Sequence, residues 1–263
     1  MSTTEQINIA DLQPIPDEEQ EAFFNGCVDE VAATLIGMFI SNKVDGRYLG
    51  GQIIETEAYC QNDPAAHCHP DANKARKKES GPMSLSGGHI YVYPSRINFS
   101  KGTWCLNLTC GPSGFGSAVL IRSLRPTSDS IERMKKIRSQ FMKKAPTEID
   151  LCSGPGKLHE ALGLIGPAYN GEPISKTSLR LHGRTDVDVP VTCGRRWGIP
   201  AENAAATWPR SCILCDDAVD KFLSPRAVEI TRKYGRELFP TAALHDLRYS
   251  GPLANCECSS AVH

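Results

Sequence analysis

No run of about 18 apolar residues, the length a helix needs to cross a bilayer, occurs in the chain, so no membrane-spanning helix is expected. The start, Met1-Ser2-Thr3-Thr4-Glu5, lacks both the basic opening and the apolar stretch of a secretion signal. A disulfide framework is missing as well. The 11 cysteines are odd in number and scattered, which without a secretion signal implies reduced thiols inside the cell, in the bacterial cytoplasm or, in a eukaryote, the nucleus. Metal signatures are thin. Cys212-x-x-Cys215 stands alone, Cys60, His67, Cys68 and His69 cluster irregularly, and Cys256-x-Cys258 lies in a loose tail, whereas zinc sites show two pairs at set spacing. No metal and no cofactor is therefore expected, and a zinc-dependent hydrolase or deaminase is the lesser alternative. Ser153-Gly154-Pro155-Gly156-Lys157 lacks the spacing of a phosphate-binding loop, leaving free amides at a helix start near a phosphate as the modest reading. Basic residues are absent from positions 1–30, which hold eight acids, so a chain of net charge −1 divides into an acidic leader and a basic body.

What is present is organised around Gly50–Tyr59. Its residues alternate, as a half-buried strand does, so Ile53, Glu55, Glu57 and Tyr59 point one way and Ile54, Thr56 and Ala58 the other. Two carboxylates and a phenol on one face of a core strand are costly unless they have partners or line a cleft. The bland alternative is an edge strand with solvated glutamates. His67 follows eight residues after Tyr59.

Along the chain, residues 1–22, with Pro14 and Pro16 among acids, read as the loose part of a flexible acidic leader that extends to residue 27. Val28, Val31, Ala32, Leu35, Ile36 and Phe39 recur at helical spacing, predicting a helix that ends near Ser41-Asn42. Asp45-Gly46 is a hairpin signal before the strand Arg47–Tyr59. Residues 61–88 are polar and turn-rich. Strands are predicted at His89–Tyr93, Thr103–Thr109 (with Asn107 facing away from Leu106 and Leu108) and Ser117–Arg122, where Leu120 and Arg122 share a face. Ser128–Lys144 reads as a helix with Ile131, Met134, Ile137 and Phe141 inward and a basic outer face including Arg133, Lys135, Lys136 and Arg138. That face and Lys74–Lys78 are ordinarily solvated, but together they can track phosphates. A short helix opens after Leu151–Lys157, and residues 163–214 alternate short strands and turns. A last helix runs from Ser224, its N-cap, to Tyr234 within a C-terminal extension of residues 215–263.

Five words of this sequence, in order, resemble the alkyladenine (3-methyladenine, N-methylpurine) DNA glycosylase family. They are Glu55–Tyr59, Asp63–His67, Tyr91-Val92-Tyr93, Val119–Pro126 and Leu151–Leu158, spread over residues 28–214. The resemblance implies an α+β single domain with a curved antiparallel β-sheet flanked by helices. It implies hydrolysis of the N-glycosidic bond of alkylated or deaminated purines in double-stranded DNA after base flipping, leaving an abasic site. On the matching positions, the general base falls on Glu57 and the base-binding residues on Tyr59, His67, Tyr93 and Asn107. Leu120 and Arg122 fall beside the pocket and the flipped nucleotide.

Physical chemistry is in keeping with these assignments. A base inside a duplex must be extruded before chemistry, aromatic faces hold it by stacking worth on the order of 1–3 kcal/mol, and electron-rich rings attract a cationic purine. One carboxylate then activates water. No lysine sits in a helix-hairpin-helix setting, so the expected enzyme is monofunctional, and a monomer. The chain departs from the family where an aromatic wedge normally fills the gap left in the duplex: Pro94–Phe99 follows Tyr93, and Ile97 or Phe99 are the candidates for that wedge. Tyr91, by residue type, is expected to pack in the core. The first rival is a non-catalytic damaged-DNA-binding protein of the same fold.

Overall fold

A computed structural model of the chain describes residues 7–95, 103–142, 144–185, 191–196, 198–208, 210–216, 220–225 and 227–228. The wedge candidates Ile97 and Phe99 lie outside the described residues, as does most of the expected C-terminal helix, whose first turn is seen from Pro225. Among the described residues no helix is long and apolar enough to cross a membrane.

The longest element is strand β2, Arg47–Cys60, which pairs with strands on both edges. β1 (Phe39–Val44) joins it through the Asp45-Gly46 turn, where both residues have positive φ (46° and 78°), the conformation a two-residue hairpin requires. β5 (Ser117–Pro126) pairs along the other edge. Beyond β5 lie β4 (Trp104–Thr109) and then β3 (Ile90–Pro94). Beyond β1 lies β6 (Leu179–His182), and β8 (Ser211–Leu214) pairs with Glu55–Glu57 of β2 and with β7 (Val191–Gly194). All pairings are antiparallel. Where β1 stops pairing at Gln52 and β8 starts at Glu55, the register with β5 shifts on either side of Glu55. Such a bulge bends a strand and curves the sheet. It also breaks the expected alternation: Ile53 joins Ile54 in the apolar core, while Glu55, Glu57 and Tyr59 keep a common face.

Helix α1 (Asp17–Phe24) and helix α2 (Val28–Leu35) precede the sheet. Val28, Val31, Ala32 and Leu35 are buried on the sheet, and Thr56 Oγ1 donates to the Ala32 carbonyl at 2.9 Å. The helix does not reach Ser41. Gly37, at φ 88°, ends it, and the Gly37 and Ile53 amides bond across to Ile53 and Met38 carbonyls, so Phe39 begins a strand. The apolar spacing to Phe39 was compatible with both states; the glycine decided between them.

Nor are residues 7–27 a loose leader. The acids Asp17, Glu18 and Glu19 occupy the first turn of α1, where the helix dipole favours them. Ile9 and Phe24 are fully buried, and the Ile9 and Ala10 amides donate to the Asp129 carboxylate. Ile9 also fills the space beside Gly50, where an added Cβ would come within 2.7 Å of its side chain.

Helix α3 (Lys74–Glu79) lies in the turn-rich stretch after β2. Helix α4 (Ile131–Arg138) tightens into a 3-10 turn at Ser139–Phe141. The tighter winding turns Phe141 away from the core, leaving it about half exposed (49 %), contrary to the expectation from helical spacing. Arg138, assigned to the solvated face, is buried instead. It pairs with Glu160 and donates to the Asp150 and Leu151 carbonyls. Helix α5 (Pro155–Ala161) starts after Gly154, with Pro155 in its first turn. The described part of residues 215–263 is joined to the domain, because the Ser224 amide and hydroxyl both donate to Glu55.

His159 on α5 is buried, and desolvation lowers its pKa to about 4. An unfolded histidine titrates near 6.5. Between these values the unfolded chain binds the additional proton, so stability rises with pH. The contribution of the neutral ring is complete above about pH 6.5 and is lost as pH falls towards 4, a loss on the order of 2–3 kcal/mol. Urea denaturation is expected to show a steeper loss of stability on acidification for the wild type than for His159→Gln. Equal slopes would remove His159 from the acid sensitivity of the fold.

Candidate active site

Cross-strand register places the site. Tyr91 on β3 is opposite Asn107 on β4, Asn107 is opposite Leu120 on β5, and Leu120 is opposite Glu57 on β2. Directly paired residues project to the same face, so four side chains from four strands form one row across the curved sheet. At about 4.8 Å per strand, the row spans roughly 14 Å from Tyr91 to Glu57.

At one end of the row are the carboxylates. Glu57 is 1 % exposed, and its Oε2 accepts from the Tyr59 hydroxyl at 2.7 Å and from Arg122 Nη1 at 3.1 Å. Arg122 Nε donates to Glu55 Oε1 at 2.6 Å. Glu55 further accepts from Ser123 Oγ (2.8 Å), the Ser224 amide (3.0 Å) and Ser224 Oγ (2.9 Å). One guanidinium is thus shared by two carboxylates, leaving the trio net negative. Burial acts to lower the Arg122 pKa, but Glu57 and Glu55 together outweigh it and raise it. Burial first, and then the Glu57 charge, hold the Tyr59 phenol far above its ordinary value, so Tyr59 is a neutral donor to Glu57.

In front of this group is a cavity of about 360 Å³, lined by Tyr59, His67, Tyr91, Tyr93 and Asn107, by Arg76 and Met83, and by the turns at Pro64-Ala65 and Gly198–Asn203. His67 Nδ1 is 2.9 Å from the Tyr91 hydroxyl, and its ring stands edge-on to Tyr93 at 4.6 Å between centroids. Asn107 spends both amide hydrogens on the Tyr91 and Cys105 carbonyls, at 3.0 and 3.1 Å. Its remaining polar group is therefore an acceptor. The expected base-binding set of Tyr59, His67, Tyr93 and Asn107 comes together in this one cavity. Leu120 and Arg122 are buried beside and behind it and do not line it, and Glu57 meets it through Tyr59.

A second buried network positions the first. Asp63 is 0 % exposed and chelates the Arg196 guanidinium through both oxygens, while Arg210 Nη1 donates to Asp63 Oδ2 at 3.1 Å and Arg210 Nη2 to Asp29 Oδ2 at 3.1 Å. Arg196 also donates to the Ala58 carbonyl and lies over the Tyr59 ring, 4.6 Å from its centroid. Asp63 Oδ1 accepts from the Ala65 amide at the turn that carries His67. Sequence reasoning gave no role to Asp63, Arg196, Arg210 or Asp29, and assigned Tyr91 to packing alone. The available signal was the pairing of one acid, Asp63, inside a matching word with arginines in a stretch that otherwise lacks periodicity.

A buried carboxylate thus lies beside a pocket of aromatic rings, whose faces can stack on a planar ring. The sequence profile of the methylpurine-DNA glycosylase family matches residues 22–211, and the chain belongs to that family. Membership makes it a DNA-repair glycosylase directed at alkylated purines, as the resemblance implied. Relatives bearing the provisional name 3-methyladenine DNA glycosylase include one from Bradyrhizobium diazoefficiens, 41% identical over 180 residues (68% of this chain, 80% of the relative). Another, from Rhodopseudomonas palustris, is 41% identical over 177 residues (67% and 78%), and one from Nitrosospira multiformis is 37% identical over 176 residues (67% and 81%).

Proposed function

We propose that the protein is a monofunctional glycosylase that, as a monomer, extrudes alkylated or deaminated purines from duplex DNA and hydrolyses their N-glycosidic bond. The observation that carries this reading is the Glu57 carboxylate, fixed by Tyr59 and Arg122 at the back of a pocket lined by Tyr59, His67, Tyr91 and Tyr93. In the reaction the C1′–N9 bond breaks with its electron pair going to the purine. Water bonds to C1′, and Glu57 takes the water proton. Tyr59, His67 and Tyr93 hold the base by stacking and edge contacts, and Asn107 offers an acceptor to its rim. Leu120 fills the row between Asn107 and Glu57, and Arg122 orients the carboxylates.

Among the described residues no group of three His, Cys, Asp or Glu converges. Cys60 instead accepts from Arg210, and Cys212 stands 2.9 Å from Cys193.

The test is incision of a labelled duplex carrying one hypoxanthine or one ethenoadenine, with methylated DNA as a further substrate. The expected result is cutting only after alkali. Cutting without alkali would instead indicate lyase activity. Intact duplex binding with no base release on any substrate would mark a binding protein.

A further inference from the structure

The carboxylate end of the site has a counterpart that the mechanism above does not use. Arg76, on α3, contributes to the cavity lining, and its Nε is buried without a hydrogen-bond partner. Among the described residues no carboxylate is paired with it, in contrast to Arg122, Arg196 and Arg210, each of which is tied to one or two acids. Its helix divides its charges. Lys74, Lys77 and Lys78 are exposed, and Lys77 is turned back onto the Pro70 carbonyl, while Arg76 is the half-buried cation that reaches the pocket. Arg76 acts at the Tyr91 end of the row: burial and then Glu79 raise the Tyr91 pKa, and the Arg76 charge works against that rise.

The site therefore holds the net-negative Glu55–Arg122–Glu57 trio at one end and, near the other, the Arg76 guanidinium, which among the described residues is paired with no carboxylate, although the Glu79 charge also reaches Tyr91. Glycosidic cleavage separates charge in the same sense. The sugar carbon becomes positive, and a neutral purine leaves with the bonding pair. Its negative charge spreads over the ring onto N7 and, in a 6-oxopurine, O6. A guanidinium presents paired donors that match an O6/N7 edge.

Resting on the glycosylase reading, we propose that Arg76 is a leaving-group contact for neutral 6-oxopurines such as hypoxanthine, donating hydrogen bonds to the O6/N7 edge as charge accumulates there. The departing purine anion then takes a proton from solvent while Glu57 returns the one it removed from water, so that base-deoxyribose and water become free purine and abasic sugar. A 7-methylated purine is already cationic and carries a methyl group on N7, so it needs no such donor and leaves it only O6.

Single-turnover excision, with enzyme in excess, is compared for hypoxanthine and 7-methylguanine in the same duplex sequence. Arg76→Met is expected to slow hypoxanthine release by about 100-fold, the cost of losing one charge-stabilising donor, while leaving 7-methylguanine release within about 3-fold, a shift of under about 1 kcal/mol. Arg76→Lys is expected to recover part of the hypoxanthine rate. Equal losses on both lesions would overturn the proposal in favour of a structural role. Unchanged excision rates in the bound complex, with a shallower salt dependence of DNA binding, would overturn it in favour of a phosphate contact. If the wild type released neither base, the glycosylase reading itself would fail, and the Arg76 comparison could not produce that result.

Discussion

Glu57→Gln is expected to abolish base release, lowering the single-turnover rate by about 10²–10⁴-fold, while duplex binding and folding stay near wild type. The reason is that glutamine preserves the shape of the side chain and can still accept from Tyr59 and Arg122, but has no basic oxygen to take the water proton. Glu55 does not substitute for it. Its two oxygens accept four hydrogen bonds, from Arg122, Ser123 and the amide and hydroxyl of Ser224. That number fills the roughly four lone-pair sites of a carboxylate. The measurement is alkali-dependent incision run beside a binding titration on the same lesion-bearing duplex. Survival of the rate to within a few-fold would remove Glu57 from the general-base role. Loss of rate together with loss of binding would make it a structural residue.

The largest effect on stability is expected at Asp63. This side chain has no solvent exposure and pairs with two guanidiniums, Arg196 and Arg210, the second of which also pairs with Asp29. Asp63→Asn removes the carboxylate that Arg196 chelates and one of those that Arg210 meets, and an uncompensated buried charge costs about 3–5 kcal/mol. Urea denaturation of the variant is expected to show a midpoint shift of that size with an unchanged slope. Because Arg196 lies against Tyr59 and Asp63 ties down the turn before His67, the surviving folded protein is also expected to hold the base less well, with a weakened substrate affinity. A cost below about 1 kcal/mol would show that the network is interchangeable with apolar packing, as some buried ion pairs are.

The two substitutions pull apart what the two networks do. In the proposed reaction Glu57 takes the water proton, and it contributes little to the fold that glutamine cannot replace. Asp63 touches neither water nor base in the proposed reaction, yet through Arg196 and the Ala65 amide it sets where Tyr59 and His67 stand.

Local pattern was enough for a large part of this protein. The Asp45-Gly46 hairpin follows from its turn residues, and the common face of Glu55, Glu57 and Tyr59 and the opposition of Asn107 to Leu106 and Leu108 follow from the alternation of a strand; both depend only on neighbours in sequence. The family words singled out Tyr59, His67, Tyr93 and Asn107 as the expected base-binding set, and these four residues line one cavity. Where a pattern fitted two structures, sequence alone chose wrongly: the spacing from Val28 to Phe39 suited a longer helix until Gly37 ended it, and Asp17, Glu18 and Glu19 suited a loose leader although they occupy the first turn of a packed helix. Tertiary structure alone decided the rest. The register of four strands aligns Tyr91, Asn107, Leu120 and Glu57, and residues as distant as Asp29, Asp63, Arg196 and Arg210 pair with one another in the buried interior. Such pairings leave no periodic trace, because a buried charge requires a partner nearby in space and places no condition on its distance along the chain.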